Sequence, residues 1–553
     1  MKMTGAEMVS ELLLEQGVDT VFGYPGGTAL NLYDALYEYQ GKIRHILTAH
    51  EQGAAHAADG YARATGKVGV VMATSGPGAC NLVTGIATAF MDSIPMVAIT
   101  ANVADELIGR DAFQEIYITG VTLPITKHNF FVNNIKDLPD AIRQAFRIAQ
   151  SGRKGPVLVD ITKDVTGMMT SFEATGPYPV KELPKSDPDT LLEVAHLINK
   201  AKQPIVYYGG GVAASDGGPA LRELLEKADM PGAYTIMAAG VLGYEEKRNL
   251  GLIGMHGSVT SNKTLDQADL ILALGTRFSD RVAQNMKKFG SKATIVQVDI
   301  DNSEINKNVI VDKSLVCDVK DFIEKIIPLV DKQERTDWFE KIKKWEDNSY
   351  KPVDDDTCLK PHQLIGKICS MTEEDSVYVT DVGQHQIWAA QFIKHIKPKS
   401  FITSGGLGTM GFGYGASIGA KIACPEKRVI HITGDGSFHM NMNEACTAVT
   451  NNLPIISVIF NNKVLGMVYQ WQGVFYNKRY SQTTVERKTD YVKVAEGFGA
   501  KGYRASNLAE FEKVFAKALK DEGPVWIECL IDKEEKVLPM IPNGGTVDDM
   551  ILG

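Results

Sequence analysis

The residue types best able to do chemistry together are Asp435, in Gly434-Asp435-Gly436-Ser437-Phe438, and Asn462, in the Asn461-Asn462 pair downstream. Asp435 offers a carboxylate oxygen and Asn462 a carbonyl oxygen, and the backbone carbonyl of Val464 can add a third. Phosphate oxygens and a water would complete an octahedral Mg2+ site, since Mg2+ takes hard oxygen ligands and is usually shared with phosphate. Gly434 and Gly436 let the backbone approach an anion closely, and a helix start offers it N–H donors. Taken alone, Gly-Asp-Gly is also an ordinary turn. The Asn pair at the end of the next apolar run favours the metal–diphosphate reading.

Two strands must position these groups. Arg428–Thr433 reads as a buried parallel strand, Leu453–Phe460 as a second β-branched run, and Asn441–Val449 between them has apolar residues at helical spacing. The acid and the amides then fall at the carboxyl ends of consecutive strands, where open α/β sheets bind ligands. Elsewhere, Pro204–Tyr208 ends in Gly209-Gly210-Gly211, Leu270–Leu274 ends in Gly275-Thr276-Arg277, and Thr294–Val298 ends in Asp299-Ile300-Asp301. Strand ends of this kind fit a nucleotide site at a switch point, although the Gly triplet by itself is equally a tight turn. Glu51 follows a strand-like run, Ile43–Ala49, and read alone it is a helix-start glutamate at the positive end of a dipole.

The Asp/Asn spacing resembles the thiamine diphosphate motif. Further stretches narrow the resemblance to the acetohydroxyacid synthase (acetolactate synthase) catalytic subunits: Phe22-Gly-Tyr-Pro-Gly-Gly27, His50-Glu-Gln-Gly-Ala-Ala-His56, Thr74-Ser-Gly-Pro-Gly78, Asp111-Ala-Phe-Gln-Glu115, Gly254-Met-His-Gly257, Arg277-Phe-Ser-Asp-Arg281, Ser404-Gly-Gly-Leu-Gly-Thr-Met410 and Gly466-Met-Val-Tyr-Gln-Trp471. These run through nearly the whole chain in family order.

The resemblance implies three cofactors: thiamine diphosphate, Mg2+ and FAD. It makes Glu51 the carboxylate that promotes the imino tautomer of the aminopyrimidine, one placed acid/base group while the cofactor carries the carbon chemistry. It assigns Gln114 and Lys163 to the substrate channel and Met410 to the apolar wedge that bends thiamine. Gly383, Gln384, His385, Gly408, Gly436, Ser437 and Met467 go to the cofactor. For FAD it points to Arg153, Gly209, Gly210, Gly211, Met255, His256, Arg277, Asp299 and Asp318. Each has a plainer alternative: surface lysine, loop arginine, core methionine. Trp471, a large ring in a polar segment, suits a wall for the acceptor substrate, with interface packing as the rival reading.

Composition agrees with a large α/β enzyme. The chain has 553 residues, 44% of them hydrophobic, so length suggests several domains with sizeable cores. A net charge of −9 without a basic block recommends neither nucleic acid nor an anionic membrane as partner. The seven cysteines are scattered without zinc spacing, as expected of reduced cytoplasmic thiols, and neither a signal-like start nor a membrane span stands out.

The expected fold is α/β, with three doubly wound parallel-sheet domains. They comprise a pyrimidine-binding unit at 1–165, an FAD-binding-like unit at 190–330 and a diphosphate/Mg2+ unit at 360–553. A Pro/Gly-bearing linker covers 166–190, an amphipathic linker helix lies within 331–350, and Asp354-Asp-Asp356 reads as a solvated turn. No internal repeat is evident, though the first and third units could share a fold. The resemblance implies decarboxylation of pyruvate and transfer of the two-carbon unit to a second small 2-ketoacid, pyruvate or 2-ketobutyrate, in branched-chain amino acid biosynthesis. It further implies a homodimer or homotetramer whose active site lies between two chains, and it allows a regulatory small subunit. The alternatives are a flavin-free catabolic acetolactate synthase, or a relative that cleaves or oxidises a ketone. The chain departs from the family at Ala101-Asn-Val-Ala104, at Thr162, at Tyr414-Gly-Ala-Ser417 and between Gly240 and Leu252. These departures are expected to touch the substrate channel rim and the flavin neighbourhood.

Overall fold

A computed structural model describes residues 2–355, 358–394, 396–485 and 487–553. Three six-stranded sheets organise them, and every pairing within each sheet is parallel. The first contains β1 (Thr20–Tyr24), β2 (Arg44–Leu47), β3 (Gly69–Ala73), β4 (Met96–Asn102), β5 (His128–Val132) and β6 (Pro156–Thr162). The second contains β7 (Pro204–Tyr208), β8 (Gly232–Tyr234), β9 (Asn249–Leu252), β10 (Leu270–Leu274), β11 (Thr294–Asp299) and β12 (Lys313–Val316). The third contains β13 (Val377–Thr380), β14 (Phe401–Ile402), β15 (Val429–Gly434), β16 (Ile455–Asn461), β17 (Lys501–Ala505) and β18 (Val525–Leu530). Their central strands are buried end to end, as sheets covered by helices on both faces require.

Strand order separates the three units. The first sheet runs β2-β1-β3-β4-β6-β5 and the third β14-β13-β15-β16-β18-β17, which is the same order counted from the first strand of each. The middle sheet runs β9-β8-β7-β10-β11-β12, the order of dinucleotide-binding folds, with its reversal between β7 and β10. The first and third units therefore share a topology that the sequence suggested only weakly.

Six helices carry or buttress the site: α1 (Glu51–Thr65), α2 (Val83–Asp92), α3 (Gln384–Phe392), α4 (Phe412–Ala423), α5 (Asp435–Asn441) and α6 (Gly466–Phe475). Helices α1 and α4 pack face to face, joining the first unit to the third, and one apolar core runs across both, from Phe22 and Ala58 to Phe412 and Trp526. The seam depends on small residues. A Cβ on Gly419 would overlap the Ala57 carbonyl, and one on Gly415 would lie 2.8 Å from the Gly53 carbonyl oxygen. Gly419→Ala should therefore lower the thermal unfolding midpoint, because overpacking costs about 1–3 kcal/mol and the obstacle here is backbone. A midpoint equal to wild type would show that the helices can part freely.

Several departures lie in this buried framework. Tyr414 is buried, and its hydroxyl accepts Trp526 Nε1–H at 3.1 Å. Asn102 donates to the buried Asp160 carboxylate at 2.7 Å, and Thr100 donates to it at 2.7 Å, tying β4 to β6. Burial pushes the Asp160 carboxyl up to about 6. Thr162 is fully buried at the end of β6.

Elsewhere the helix Thr336–Asp347 is no free linker: Trp338 is buried and its Nε1–H donates to the Pro204 carbonyl at the start of β7. Asp354 pairs with His362 at 2.9 Å and Asp355 lies 3.8 Å from Lys360; Asp356 is outside the described residues. Among the described residues, no helix is long and apolar enough to cross a membrane.

Candidate active site

Strands β13, β15 and β16 are neighbours in the third sheet, and each runs at its carboxyl end toward a helix: α3, α5 and α6. The N-caps of these helices, Gly383, Gly434 and Leu465, provide no side-chain cap. First-turn N–H groups of α3 and α6 are thus left for an anion on either side of α5, where the Asp435 carboxylate takes the Gly436 N–H itself. Gly434 pairs with Phe460 in the ladder, so Asp435 and Asn461-Asn462 leave the sheet side by side. The structure corrects one local expectation: Asp435 opens α5 itself, and the helical run expected from Asn441 is split by a tight turn, Met442–Glu444.

Asn462 is held from both ends. Its Nδ2–H donates to Gln384 Oε1 at 3.2 Å, and its Oδ1 accepts the Val464 N–H at 3.2 Å. Gln384 in turn donates to Gln470 Oε1 at 3.0 Å and to the Glu535 carbonyl at 2.9 Å. Gln384, read as a diphosphate donor, has its amide engaged in orienting Asn462. The Asp435 carboxyl is buried, and burial pushes it up to about 7. A bound divalent cation would relieve that cost. His385 is buried with Nε2 unpartnered, and burial lowers it to about 4, so it is neutral. The orphaned Nε2 suits a phosphate oxygen; the other edge of the ring packs on Gly434, where a Cβ would lie 2.8 Å from His385 Nδ1. Among the described residues no group of three or more His, Cys, Asp or Glu side chains could hold a metal. A cation here therefore needs amide, carbonyl and phosphate oxygens beside Asp435, and the residues present fit Mg2+ and a diphosphate.

Met410 sits on a braced loop. The Gly411 N–H donates to Ser437 Oγ at 3.0 Å, and Asn441 Nδ2–H donates to the Gly411 carbonyl at 2.9 Å. From the first unit, Asp92 accepts the Gly405 and Gly406 N–H groups at 3.1 and 2.6 Å and pairs with Arg63 at 2.8 Å. Gly408 has φ +72°, a left-handed turn suited to glycine. The Met410 methyl lies 3.9 Å from where a Cβ on Gly436 would stand, so the Met410 loop and the Gly434–Gly436 turn are neighbours. Ser437 acts here as the loop's anchor. Met467, in the first turn of α6, is half-buried against the core.

Glu51 opens α1 and is buried. Its Oε2 accepts Asn81 Nδ2–H at 3.0 Å and lies 3.4 Å from His50 Nδ1. The Ser75-Gly76 loop leads into the helix Pro77–Asn81, which closes over it, with a Cβ on Gly78 falling 3.1 Å from Glu51 Oε1. Gln114, at φ +63°, packs on the same loop, its Cα 2.9 Å from a Cβ built on Gly76. Lys163 is exposed at the end of β6. Sequence reasoning missed Asn81, Asp92 and Arg63. Their partners are remote in the chain or carry no motif of their own, and only the fold reveals them.

The middle sheet gathers the flavin candidates along its carboxyl edge. Gly209 and Gly211 are required by contact with Gly275: the Gly211 N–H donates to the Gly275 carbonyl at 3.1 Å. Gly210 faces Met237. Asp299 is buried and pushed up to about 6. His256 is buried with Nε2 unpartnered, an atom that a ligand could satisfy. The Arg277 guanidinium approaches the Met410 loop, 3.1 Å from a Cβ placed on Gly406. Two candidates are engaged within the protein. Arg153 pairs with Glu304 at 2.7 Å and Asp301 at 3.2 Å, and Asp318 caps the helix Val319–Ile326. Met255 packs with Leu538, Met540 and the half-buried Trp471, whose ring lies 5.9 Å from the Arg281 guanidinium.

Residues 3–121 match the description "Thiamine pyrophosphate enzyme, N-terminal TPP binding domain", 191–326 the central domain of the same enzymes, and 381–529 their C-terminal TPP binding domain. The chain is 45% identical to "Acetolactate synthase" of Mycobacterium bovis over 99% of its own length and 91% of that protein's. It is 42% identical to "Probable acetolactate synthase large subunit" of Methanocaldococcus jannaschii, covering 99% and 95%. It is 40% identical to "Acetolactate synthase isozyme 3 large subunit" of Escherichia coli, covering 100% and 98%. With both thiamine pyrophosphate-binding domains and the central domain present in order, the chain belongs to the acetolactate synthase large-subunit family of thiamine pyrophosphate enzymes.

Proposed function

We propose that this chain makes 2-acetolactate, and 2-aceto-2-hydroxybutyrate where 2-ketobutyrate is present, by decarboxylating pyruvate and joining its two-carbon remainder to a second 2-ketoacid. The observation that carries this reading is the Asp435–Asn462 edge with the His385 ring packed on Gly434 and its Nε2 free, in a chain similar to acetolactate synthases from end to end. Thiamine diphosphate supplies the carbon nucleophile and the electron sink when bound. Asp435, Asn462 and the Val464 carbonyl would hold Mg2+, and His385 with the N–H groups at the starts of α3 and α6 would take the diphosphate. Glu51 would hold and move a proton at the aminopyrimidine ring nitrogen. Met410 would press on the cofactor from its braced loop. Gln114 and Lys163 would orient the ketoacid carboxylates. The same reading has a homodimer at minimum, Glu51 from one chain facing Asp435 of another, a place for a regulatory small subunit, and a cytoplasmic setting. Acetolactate formed from pyruvate, assayed with 2-ketobutyrate as competing acceptor, tests the reading; protein that consumes no pyruvate with thiamine diphosphate and Mg2+ present refutes it.

FAD, in this reading, is structural and lies along the carboxyl edge of the middle sheet, near Gly209–Gly211, Met255, His256, Arg277 and Asp299. Purified protein should be yellow. Arg277→Ala should lose colour and thermal stability together, since a ligand held only by the native state stabilises it. A second reading, a flavin-free synthase, is favoured by the engagement of Arg153 and Asp318 within the protein. Colourless, fully active wild type would establish it.

Acceptor choice should depend on Trp471. 2-Ketobutyrate is larger than pyruvate by one methylene, which an apolar wall can convert to about 10–200-fold preference. Wild type should favour 2-ketobutyrate, and Trp471→Leu should lose the preference while still making acetolactate. The check is the product ratio with both acceptors present. A mutant that keeps the full preference would assign Trp471 to packing with Met255 and Met540.

A further inference from the structure

Glu444 is a fully buried carboxylate of the third unit whose hydrogen bonds reach into the first. Its Oε2 accepts the Ala49 N–H at 3.1 Å, and its Oε1 accepts the His50 N–H at 3.0 Å. Thr447 Oγ1–H donates to the same Oε2 at 2.7 Å and fixes the carboxylate's rotation. Glu444 ends the tight turn Met442–Glu444 that continues directly from α5, the helix opened by Asp435. Gly53, in the first turn of α1, leaves the space it occupies, and any side chain there would overlap the Glu444 carboxylate.

Ala49 and His50 immediately precede Glu51. His50 is the N-cap of α1 and offers no side-chain cap of its own. The backbone entering this helix is therefore held from another unit, nearly four hundred residues away in the chain. Burying a carboxylate is costly unless donors compensate it. Burial raises the Glu444 carboxyl, and the charge of Glu51 acts in the same direction. An apolar side chain of the same size would fill the space without that cost. What it could not do is accept the two backbone N–H groups that set where α1 begins.

We infer that Glu444 is a positioning residue for Glu51, fixing the Ala49-His50 backbone and thereby where the Glu51 carboxylate lies, without touching cofactor or substrate. The inference rests on the reading of Glu51 as the acid/base group toward thiamine diphosphate.

The test uses full-length Glu444→Gln and Thr447→Val, each loaded with Mg2+ and thiamine diphosphate. The readouts are exchange of the bound cofactor's C2 proton, Mg2+-dependent cofactor affinity and thermal unfolding. Glutamine keeps the volume but turns an NH2 toward one of the two backbone N–H groups. Exchange should slow about 10–100-fold, because small misplacement of a catalytic group has effects of that size. Affinity and unfolding should stay near wild type. Thr447→Val frees the carboxylate to rotate and should slow exchange about 2–10-fold, the equivalent of one hydrogen bond. If Glu444→Gln does not fold, Thr447→Val decides. Exchange at the wild-type rate in the variants overturns the inference. So does a parallel fall of exchange, affinity and thermal midpoint, which would make Glu444 a prop between units. Wild type that shows no exchange when saturated with cofactor overturns the reading of Glu51 itself, and this inference with it.

Discussion

Glu51→Gln should give a folded, cofactor-binding protein whose C2 proton exchange and acetolactate turnover are about 10^2–10^4-fold slower than wild type, the usual contribution of a placed acid/base group. The substitution is nearly isosteric, and its surroundings tolerate it. The Asn81 amide that donates to Glu51 Oε2 at 3.0 Å can donate equally to a glutamine carbonyl. The helix Pro77–Asn81, which faces Glu51 at Gly78, sees the same volume. Cofactor affinity and the thermal midpoint should therefore barely move, which separates lost chemistry from lost structure. Glutamine can still accept or donate one hydrogen bond at the pyrimidine nitrogen, but it cannot carry a proton between the two. Near-normal exchange in this variant would refute the role. Strongly weakened cofactor binding with normal exchange per bound cofactor would make Glu51 a binding group.

What the sequence made legible follows from which interactions are local. Asp435 and Asn462 could be paired in advance because each ends an apolar run, and consecutive parallel strands with a helical crossover bring such ends together. The Gly clusters at Gly209 and Gly275 likewise mark strand ends, although here each glycine makes room for the other strand's backbone. Roles that depend on remote partners were not legible. Gln384 looks like an anion donor beside His385, yet its amide is engaged with Asn462 and Gln470, both more than seventy residues on. Ser437 follows Gly434-Asp435-Gly436 and reads as a cofactor contact, yet it holds the Gly411 N–H. Tyr414 and Gly415 looked like changes at a substrate rim. In the fold they are core: Tyr414 gives Trp526 Nε1–H an acceptor, and Gly415 lets α4 approach α1. The common strand order of the first and third sheets left no visible repeat, because topology is preserved by burial pattern and crossover handedness, and many sequences satisfy both.

Asp435→Ala should abolish Mg2+-dependent retention of thiamine diphosphate and activity with it, because the cation loses its one full negative protein ligand while Asn462 and Val464 offer only neutral oxygens. The remaining site would still be shaped: Asn462 stays clamped by Gln384 and the Val464 N–H. Folding should survive, since removing a buried carboxyl that resists ionisation takes away a cost. The wild-type carboxyl adds a pH dependence. Burial raises it to about 7 in the metal-free protein, so proton and cation compete for one group. Raising pH through 7 should strengthen Mg2+ uptake. Lowering it should weaken uptake by about tenfold per unit, until other ligands titrate. Asp435→Asn, with no proton to lose, should bind Mg2+ weakly and without that slope. Titrating Mg2+ against cofactor retention at several pH values, in wild type and both variants, measures each expectation. Unchanged retention in Asp435→Ala would remove the metal from this strand end, and an equal slope in Asp435→Asn would move the titrating group elsewhere.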